Sequence, residues 1–419
     1  MKQSGNLYDE YQLSKAMKEV PVPTSDIDVK IYLRKLKQPI CLFGEDAKER
    51  KDRLRLILAK GIASNVPIQE EVPELIPKYV EGDEKIGEAK RFFIDYSIHR
   101  AQQRIENEKP IDQPRIDFTN EVGRSFQSFS TYASESADKR PLTSLSVHGD
   151  LFALGSFSSN ITVFSASSME LQQKLQGHSD RITSLSFVSG NVLFSTSFDK
   201  TVRFWRIGSD DTAFLSFDQF AQSSASHPSE RFSLAGLTDG TFCLIDVETQ
   251  QVISRMKSHD GTVSTLCVHP DGSIVMTGGS DTIGRLWDLR SMKSIKVMQG
   301  HSSGITCSRF DNDYHVVSGG ADNSIISWDM RNLSRSKTIS AHTSPVSAVY
   351  LNGDILLSSS LDRTMKIWSL LDFRLYCTIT DCPSPVTSCA FIDCNFSDQP
   401  YILSASRDGY WRLYHNAAL

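Results

Sequence analysis

A spacing of 40 to 46 residues, repeated along most of the chain, constrains the fold more than any other feature of the sequence. An aspartate recurs six residues before a bulky strand position, as in FDKTVRFW, SDTIGRLW, ADNSIISW and LDRTMKIW. These aspartates are Asp199, Asp239, Asp281, Asp322, Asp362 and Asp408, at intervals of 40, 42, 41, 40 and 46 residues, and Ser158 lies 41 residues before the first. Such a period is typical of a unit of four β-strands. The sequence therefore predicts seven such units.

Four units share a set of polar residues: a loop His, a strand Ser or Thr, a turn Asp and a strand Trp. Each member can satisfy the next in a buried network, which stiffens the turns. The complete sets are His178, Ser195, Asp199 and Trp205; His259, Thr277, Asp281 and Trp287; His301, Ser318, Asp322 and Trp328; and His342, Ser358, Asp362 and Trp368. A Ser-His-Asp hydrolase triad is the alternative, but a set that recurs four times at fixed spacing indicates architecture rather than catalysis.

The other three units lack part of this set. Ile245 and Tyr414 stand where Trp is expected, and Ser158 and Phe164 replace Asp and Trp in the first unit. The third unit, residues 220–245, also lacks the Gly-His pair at its start. We expect these units to depend on strand packing.

Short alternating segments give four strands in the fourth unit, TVSTLCV, SIVMTGG, TIGRLWDL and KSIKVMQ, with PDG as a turn. We therefore predict an all-β, seven-bladed propeller over residues 140–416 with a small α-helical N-terminal extension. The repeat resembles the WD-repeat (WD40) superfamily over about two thirds of the chain. In that superfamily a segment from one terminus completes the blade made by the other, which removes an open sheet edge. Residues 124–133 are the predicted closing strand.

Ahead of the repeats, charged residues increase and helical periodicity replaces the strand pattern. VKIYLRKLK forms a short helix stopped by Pro39, and residues 47–60 form a second helix with Leu54, Ile57 and Leu58 on one side. The predicted segments are a disordered tail over 1–25, a helical region over 26–61, a linker over 62–84, a long helix over 85–110 ended by Pro110, and a linker with the closing strand over 111–139.

Residues 30–60 contain ten Lys or Arg and four Asp or Glu, a balance of +6. Such a patch fits the phosphates of RNA. A solvated helix face with pairs such as Glu49 and Arg53 explains the same residues equally well. The spacing leaves both interpretations open.

The long helix carries more large apolar residues than it can bury alone, namely Phe92, Phe93, Tyr96, Ile98 and Ile105. Some of this surface is left for a partner or for the flank of the propeller.

The helical region resembles the splicing-factor motif that precedes the propeller in the WD-repeat protein family of the U4/U6 small nuclear ribonucleoprotein. The shared core is P-I-x-L-F-G-E followed by R-x-x-R-L-R. The matching positions are Pro39, Ile40, Leu42, Phe43, Gly44, Glu45, Arg50, Arg53, Leu54 and Arg55. The long helix is similar to the second helical element of this family at Arg91, Phe92, Tyr96, Ser97, Arg100 and Arg104. Residues 138–144 are like the beginning of its first blade.

The resemblance implies a nuclear, non-catalytic scaffold of the U4/U6 and U4/U6·U5 particles. Its partners would be the other U4/U6-specific proteins, the base-paired U4/U6 snRNA directly or through those proteins, and in some lineages a cyclophilin. No cofactor, metal, membrane or small-molecule substrate is implied. The candidate partner- or RNA-binding residues are Pro39, Leu42, Phe43, Gly44, Arg50, Arg53, Arg55, Phe92, Tyr96, Arg100 and Arg104. The third blade departs from the family pattern, which puts the contacts of its rim in doubt.

Two rival functions rest on smaller motifs. Residues 287–290 and 328–331 fit a WDxR pattern found in substrate receptors of cullin-based ubiquitin ligases, although an Arg at that position also pairs with its own turn. Cys377, Cys382, Cys389 and Cys394 have gaps of four, six and four residues, unlike the CxxC pairs of structural zinc sites. We expect neither ligase recruitment nor zinc.

Composition agrees with a soluble, intracellular protein. The formal net charge is −5, which argues against wholesale coating of nucleic acid. The N-terminus has the features of neither a secretory signal nor a transit peptide, and no apolar run of about 18 residues is present. Eight cysteines without CxxC pairs predict no disulfide framework.

Overall fold

A computed structural model describes residues 22–23, 26–36, 38–39, 46–63, 84–107, 129–209, 212–311, 315–331, 334–370, 372–392 and 401–416. The described helices are α1 (Asp26–Lys35), α2 (Ala47–Ala63) and α3 (Glu84–Asn107). Helices α1 and α2 belong to one compact unit, and α3 belongs with the strands to a second. None of these helices is long and apolar enough to cross a membrane. Most of the predicted tail, most of the predicted first linker and Pro110 lie outside the described residues.

The repeats fold into seven antiparallel four-stranded sheets, the blades of a propeller, and the predicted fold is confirmed. Blade 1 is β2 (Leu142–His148), β3 (Leu151–Ser156), β4 (Ile161–Ser165) and β5 (Leu171–Leu175); blade 2 is β6 (Ile182–Ser189), β7 (Val192–Ser197), β8 (Thr201–Arg206) and β9 (Thr212–Ser216); blade 3 is β10 (Ala221–Ser226), β11 (Phe232–Leu237), β12 (Thr241–Asp246) and β13 (Gln251–Lys257); blade 4 is β14 (Val263–Val268), β15 (Ile274–Gly279), β16 (Ile283–Asp288) and β17 (Lys293–Gln299); blade 5 is β18 (Ile305–Phe310), β19 (His315–Gly320), β20 (Ser324–Asp329) and β21 (Ser334–Ser340); blade 6 is β22 (Val346–Asn352), β23 (Ile355–Ser360), β24 (Met365–Ser369) and β25 (Leu375–Ile379); blade 7 is β26 (Val386–Ile392), β27 (Tyr401–Ser406), β28 (Tyr410–Asn416) and β1 (Phe129–Ser136).

Strand β1 closes the ring by pairing with β28, from Phe129 opposite Asn416 to Ser136 opposite Tyr410. The described strand begins at Phe129 and extends past the predicted end at residue 133; residues 124–128 lie outside the described part of the chain. Tyr132 forms a β-bulge: Thr131 lies opposite Tyr414 and Ala133 lies opposite Leu413, so the pairing continues to Ser136. The buried Phe129 ring holds the strand in the apolar core shared by blades 6 and 7.

The hydrophobic core lies mainly between neighbouring blades. Phe152 of blade 1 meets Trp411 of blade 7 edge to face, with ring centroids 5.1 Å apart. Gly278 at the end of β15 shows how closely the blades approach, since an added Cβ would lie 2.9 Å from the Ile305 side chain of the next blade. Packing between blades therefore stabilises the units that lack a complete polar set.

We call the face with the second-to-third-strand turns and the loops between blades the upper face. The face with the first-to-second and third-to-fourth turns is the lower face. These two surfaces position the side chains considered next.

Candidate interaction surfaces

The four complete polar sets lie on the upper face and are joined by hydrogen bonds. In blade 2, the indole nitrogen of Trp205 donates to the Ser195 hydroxyl at 2.8 Å, and Ser195 lies 2.7 Å from Nε2 of His178. Nδ1 of His178 lies 2.7 Å from the Asp199 carboxylate. Burial lowers the pKa of His178, so a neutral imidazole with its proton on Nδ1 completes a one-way chain of donors from Trp to Asp.

The same chain recurs in blades 4, 5 and 6. In blade 4, His259 lies 2.9 Å from Asp281 and 2.8 Å from Thr277, and Trp287 lies 3.2 Å from Thr277. In blade 5, His301 lies 3.1 Å from Asp322 and 2.8 Å from Ser318, and Trp328 lies 2.9 Å from Ser318. In blade 6, His342 lies 3.0 Å from Asp362 and 2.9 Å from Ser358, and Trp368 lies 3.0 Å from Ser358. The hydroxyl residues are completely buried. These residues brace the blades and present no accessible nucleophile.

Blades 1 and 7 replace the missing members with other polar pairs. In blade 1 the carboxylate comes from the loop, because Asp138 accepts from the Ser158 hydroxyl and from the Asn160 amide. In blade 7, Cys382 occupies the loop position of the His, and its thiol lies 3.2 Å from the hydroxyl of Tyr414. The sequence alone missed both exchanges, because the loop residue changes type, to Asp138 or Cys382, although its position in the repeat stays the same.

The four candidate zinc cysteines have structural surroundings where they are described. Cys382 and Cys389 are buried, and burial raises the pKa of the Cys389 thiol to about 12, which disfavours the thiolate that zinc requires. Cys377 is half-buried, and Cys394 lies outside the described residues. Among the residues that the structure describes, no cluster of three or more His, Cys, Asp or Glu side chains is arranged to hold a metal ion.

Helix α3 packs on the lower face of blade 3, one of the blades without a complete polar set. Phe93 is fully buried, with its ring 5.1 Å from the His227 ring and 4.9 Å from Phe232. Phe92 also contacts Phe232, at 5.3 Å, and Tyr96 lies 5.4 Å from His227. The helix thus covers the turn between β10 and β11 with three aromatic side chains.

Polar contacts extend this docking to blade 4. Arg104 forms an ion pair with Asp271 at 3.0 Å, and Arg100 donates from Nε to the carbonyl oxygen of Pro270 at 3.3 Å. The candidate residues Phe92, Tyr96, Arg100 and Arg104 are therefore brought together, but against the chain's own propeller.

His227 lies at the centre of the docked surface. Its Nε2 donates to the carbonyl oxygen of Gly272 at 2.8 Å, and its Nδ1 accepts from the backbone N–H of Ser229 at 3.1 Å. Burial lowers the pKa of His227 to about 4, so the ring is neutral at pH 7. Protonation of Nδ1 would break the Ser229 bond and place a charge beside Phe93 and Tyr96.

In the N-terminal unit, α1 and α2 pack through Val29, Leu33 and Leu54, which are almost fully buried. Arg50 is also buried and binds the Asp26 carboxylate, which ties the two helices together. The guanidinium of Arg50, a candidate partner- or RNA-binding residue, is therefore engaged inside the unit.

Two other arginines of the motif, Arg53 and Arg55, also have partners within the N-terminal unit. Arg53 donates to the carbonyl oxygen of Pro39 at 2.9 Å, and Arg55 pairs with Asp52 at 3.2 Å. The Arg55 side chain is 35% exposed, so it keeps surface for a partner. The candidates Leu42, Phe43 and Gly44 lie outside the described residues.

The upper face of blades 1 to 3 carries a row of stacked side chains that the sequence did not reveal, which we call the upper-face ladder. The Arg181 guanidinium lies 3.8 Å from the ring centre of Phe198 and 5.3 Å from that of Phe157. Phe198 stacks on Phe220 at 5.1 Å, and the Lys200 ammonium lies 5.3 Å from the Phe220 ring. Phe157 and Phe220, at the two ends, are 38% and 37% exposed. Aromatic and arginine side chains are enriched at the centres of protein interfaces.

The WDxR arginines have local partners. Arg290 donates from Nε to Asp288 at 3.0 Å, and Arg331 donates from Nε to Asp329 at 3.2 Å. Each pair lies within one turn, which accounts for the pattern without a ligase adaptor.

Comparison with known families agrees with this division into a helical unit and a propeller. Residues 29–57 match the family described as pre-mRNA processing factor 4 (PRP4) like. Residues 169–206, 250–288, 292–329, 333–369 and 374–415 match the family described as WD domain, G-beta repeat. The chain therefore contains a PRP4-like motif followed by WD40 repeats. The matched segments leave out most of blades 1 and 3, whose polar sets are incomplete.

Curated relatives cover part of their own length. Pre-mRNA-processing factor 19 homolog 2 of Arabidopsis thaliana is 25% identical over 295 residues, which cover 64% of this chain and 55% of the relative. Pre-mRNA-processing factor 19 of Oryza sativa subsp. japonica is 26% identical over 230 residues, 52% of this chain and 42% of the relative. An uncharacterised WD repeat-containing protein of Schizosaccharomyces pombe is 30% identical over 288 residues, 66% of this chain and 56% of the relative. The chain thus spans about half the length of these relatives.

The PRP4-like motif and the WD40 repeats together indicate a WD-repeat factor of pre-mRNA splicing. A WD40 propeller is typically a non-enzymatic fold.

Proposed function

We propose that this protein is a non-catalytic scaffold subunit of the U4/U6 small nuclear ribonucleoprotein and of the U4/U6·U5 tri-snRNP, and that it acts in the nucleus. Its partners are the other U4/U6-specific proteins and the base-paired U4/U6 snRNA, and a spliceosomal cyclophilin is a candidate further partner. The observation that carries the proposal is the PRP4-like motif at residues 29–57, ahead of a WD40 propeller.

The scaffold holds its partners at two places. The upper-face ladder offers exposed rings at Phe157 and Phe220, with cations between them, as a surface for a protein partner. The N-terminal unit offers the exposed side chain of Lys48 and the partly exposed side chain of Arg55 to RNA or to a second protein. Several weak contacts on linked modules combine into stable attachment.

The decisive experiment is affinity purification of the tagged full chain from nuclear extract, followed by sequencing of the recovered RNA and mass spectrometry of the recovered proteins. The proposal predicts U4 and U6 snRNAs with U4/U6-specific proteins. Recovery of a ubiquitin-ligase adaptor without these RNAs would overturn it.

A second experiment separates the two attachment sites. The double variants K48E/R55E and F157D/F220D change surface side chains and leave the Arg50–Asp26 pair and the polar sets intact. Each is expected to recover less U4 and U6 RNA than the wild type, because one of two linked contacts is lost. R374E, which reverses an exposed charge on blade 6, is the matched control and should recover wild-type amounts. Unchanged recovery in both double variants would refute two-point attachment.

A further inference from the structure

The innermost strands of the seven blades differ sharply at one equivalent position. These strands contact each other in a ring around the propeller axis, and each pairs with the second strand of its blade in the same register. The fifth residues of the strands are Ser146, Ser186, Ala225, Cys267, Arg309, Tyr350 and Ala390. Five are small, and the two large ones are neighbours in blades 5 and 6.

Arg309 and Tyr350 stack on each other, with the guanidinium carbon 4.8 Å from the ring centre. The ring is held from behind by Phe391, edge to face at 6.1 Å. Arg309 is exposed, and the described residues provide no carboxylate partner for it. Stacking orients a guanidinium while its N–H edge stays free to donate. The pair is therefore a preformed flat surface with a positive charge that no carboxylate among the described residues pairs with.

This pair lies in a cavity of about 480 Å³ at the lower end of the central channel. That volume is within the usual range for small-ligand sites. The basic side chains of the described lining are Arg309, His148 and Arg100, the last from α3, and the described lining has no carboxylate. Serine hydroxyls, including those of Ser146 and Ser388, make much of the wall polar.

We propose that this channel mouth binds a nucleotide, either free or as part of a single-stranded RNA. The phosphate accepts hydrogen bonds from Arg309 and Arg100, and the base extends the stack formed by Arg309 and Tyr350. The serine hydroxyls of the wall form hydrogen bonds with the ribose. An acidic peptide would match the charge but would leave the flat stacking surface unused. This site uses residues of neither the upper-face ladder nor the N-terminal unit, so it does not depend on the proposed function.

Binding is measured on the full chain by fluorescence anisotropy with a labelled ten-nucleotide single-stranded RNA and by calorimetry with ADP. R309E is expected to weaken binding about tenfold or more, because a donor becomes a like charge beside the phosphate. Y350L keeps the charge and is expected to weaken binding about fivefold, by loss of base stacking. R309Q serves as a second variant should R309E fold poorly, and R374E is the control that should bind like the wild type.

Binding of the RNA, of ADP or of both that falls in R309E and Y350L supports the site, and the probe that binds identifies the source of the nucleotide. The absence of wild-type binding to either probe would overturn the proposal. Equal binding by wild type and both arginine variants would also overturn it. Competition by a ten-residue poly-glutamate peptide as strong as that by RNA, with no effect of Y350L, would show that charge alone is recognised and would refute a nucleotide site.

Discussion

Removal of the Phe93 ring tests directly how α3 is held on the propeller. The side chain is fully buried, with ring centroids 5.1 Å from His227 and 4.9 Å from Phe232. Truncation of a buried Phe to Ala costs about 3–5 kcal/mol, from lost transfer energy and from the cavity left behind. In F93A this loss falls on docking of the helix, because the blade keeps all four of its own strands.

That energy corresponds to a change of about two to three and a half powers of ten in the docking equilibrium. An isolated helix is marginal in water, so undocking exposes the α3 amides to exchange. Native-state hydrogen exchange of the full chain, followed by mass spectrometry, measures this as faster exchange over residues 84–107. Protection of β14, β15 and β16 is expected to stay close to the wild type, since these strands do not depend on Phe93 for pairing.

The matched control is I94A, the next residue on the same helix, whose side chain is 40% exposed. It removes a comparable apolar group without opening a cavity, so protection of α3 should change little. Equal losses of protection in F93A and I94A would show that helix propensity, not the buried ring, decides the result. Unchanged α3 exchange in F93A would refute the docking argument.

Three further predictions concern other parts of the molecule. Burial lowers the pKa of His227 from 6.5 to about 4, so the unfolded chain binds the proton before the folded chain does as the pH falls. The free energy of unfolding should therefore decrease by up to about 3 kcal/mol between pH 6.5 and pH 4. Urea midpoints measured across this range should show that decrease, and H227F should reduce it. S318A leaves two buried polar partners, the His301 ring and the Trp328 indole, unsatisfied and should lower the free energy of unfolding in urea by about 1–3 kcal/mol for each. S340A, at an exposed position of the same blade, should change it by less than about 0.5 kcal/mol. R50M removes the buried ion pair between α1 and α2, so the amide hydrogens of residues 47–59 should exchange faster than in the wild type. R55M is the control, because the guanidinium it removes is 35% exposed, and it should change exchange less. Equal exchange in the two variants would contradict the role assigned to Arg50.

The polar sets could be predicted from the sequence because every member has a fixed separation from the next. The residues His178, Ser195 and Trp205 fall within one repeat, and the same set recurs in three other repeats, which chance does not explain. The strand pattern and the number of blades follow from the same regularity. The degenerate blades depart from this regularity. In blade 1 the carboxylate comes from Asp138, which lies 40 residues before His178 at the loop position of the His, so the change of residue type hid the exchange.

Contacts between distant segments could not be predicted in this way. The apolar residues of α3 showed that one face of the helix had to be buried. Periodicity does not identify the surface that buries it, which is the turn beside His227. The buried role of Arg50 was missed because a basic helix face looks the same whether one arginine points to solvent or to Asp26. The Arg309–Tyr350 pair becomes visible only when the innermost strands are aligned by their register.

The closing pair of β1 and β28 has a consequence for biosynthesis. Phe129 pairs with Asn416, so the ring remains open until almost all of the propeller has left the ribosome. Joining segments so far apart in sequence carries a loop-closure cost and slows folding. Until that moment the strand edges of blade 7 are exposed to other nascent chains. Synthesis of this protein should therefore depend on chaperones that shield open sheet edges, and premature termination before β28 should yield an aggregation-prone product.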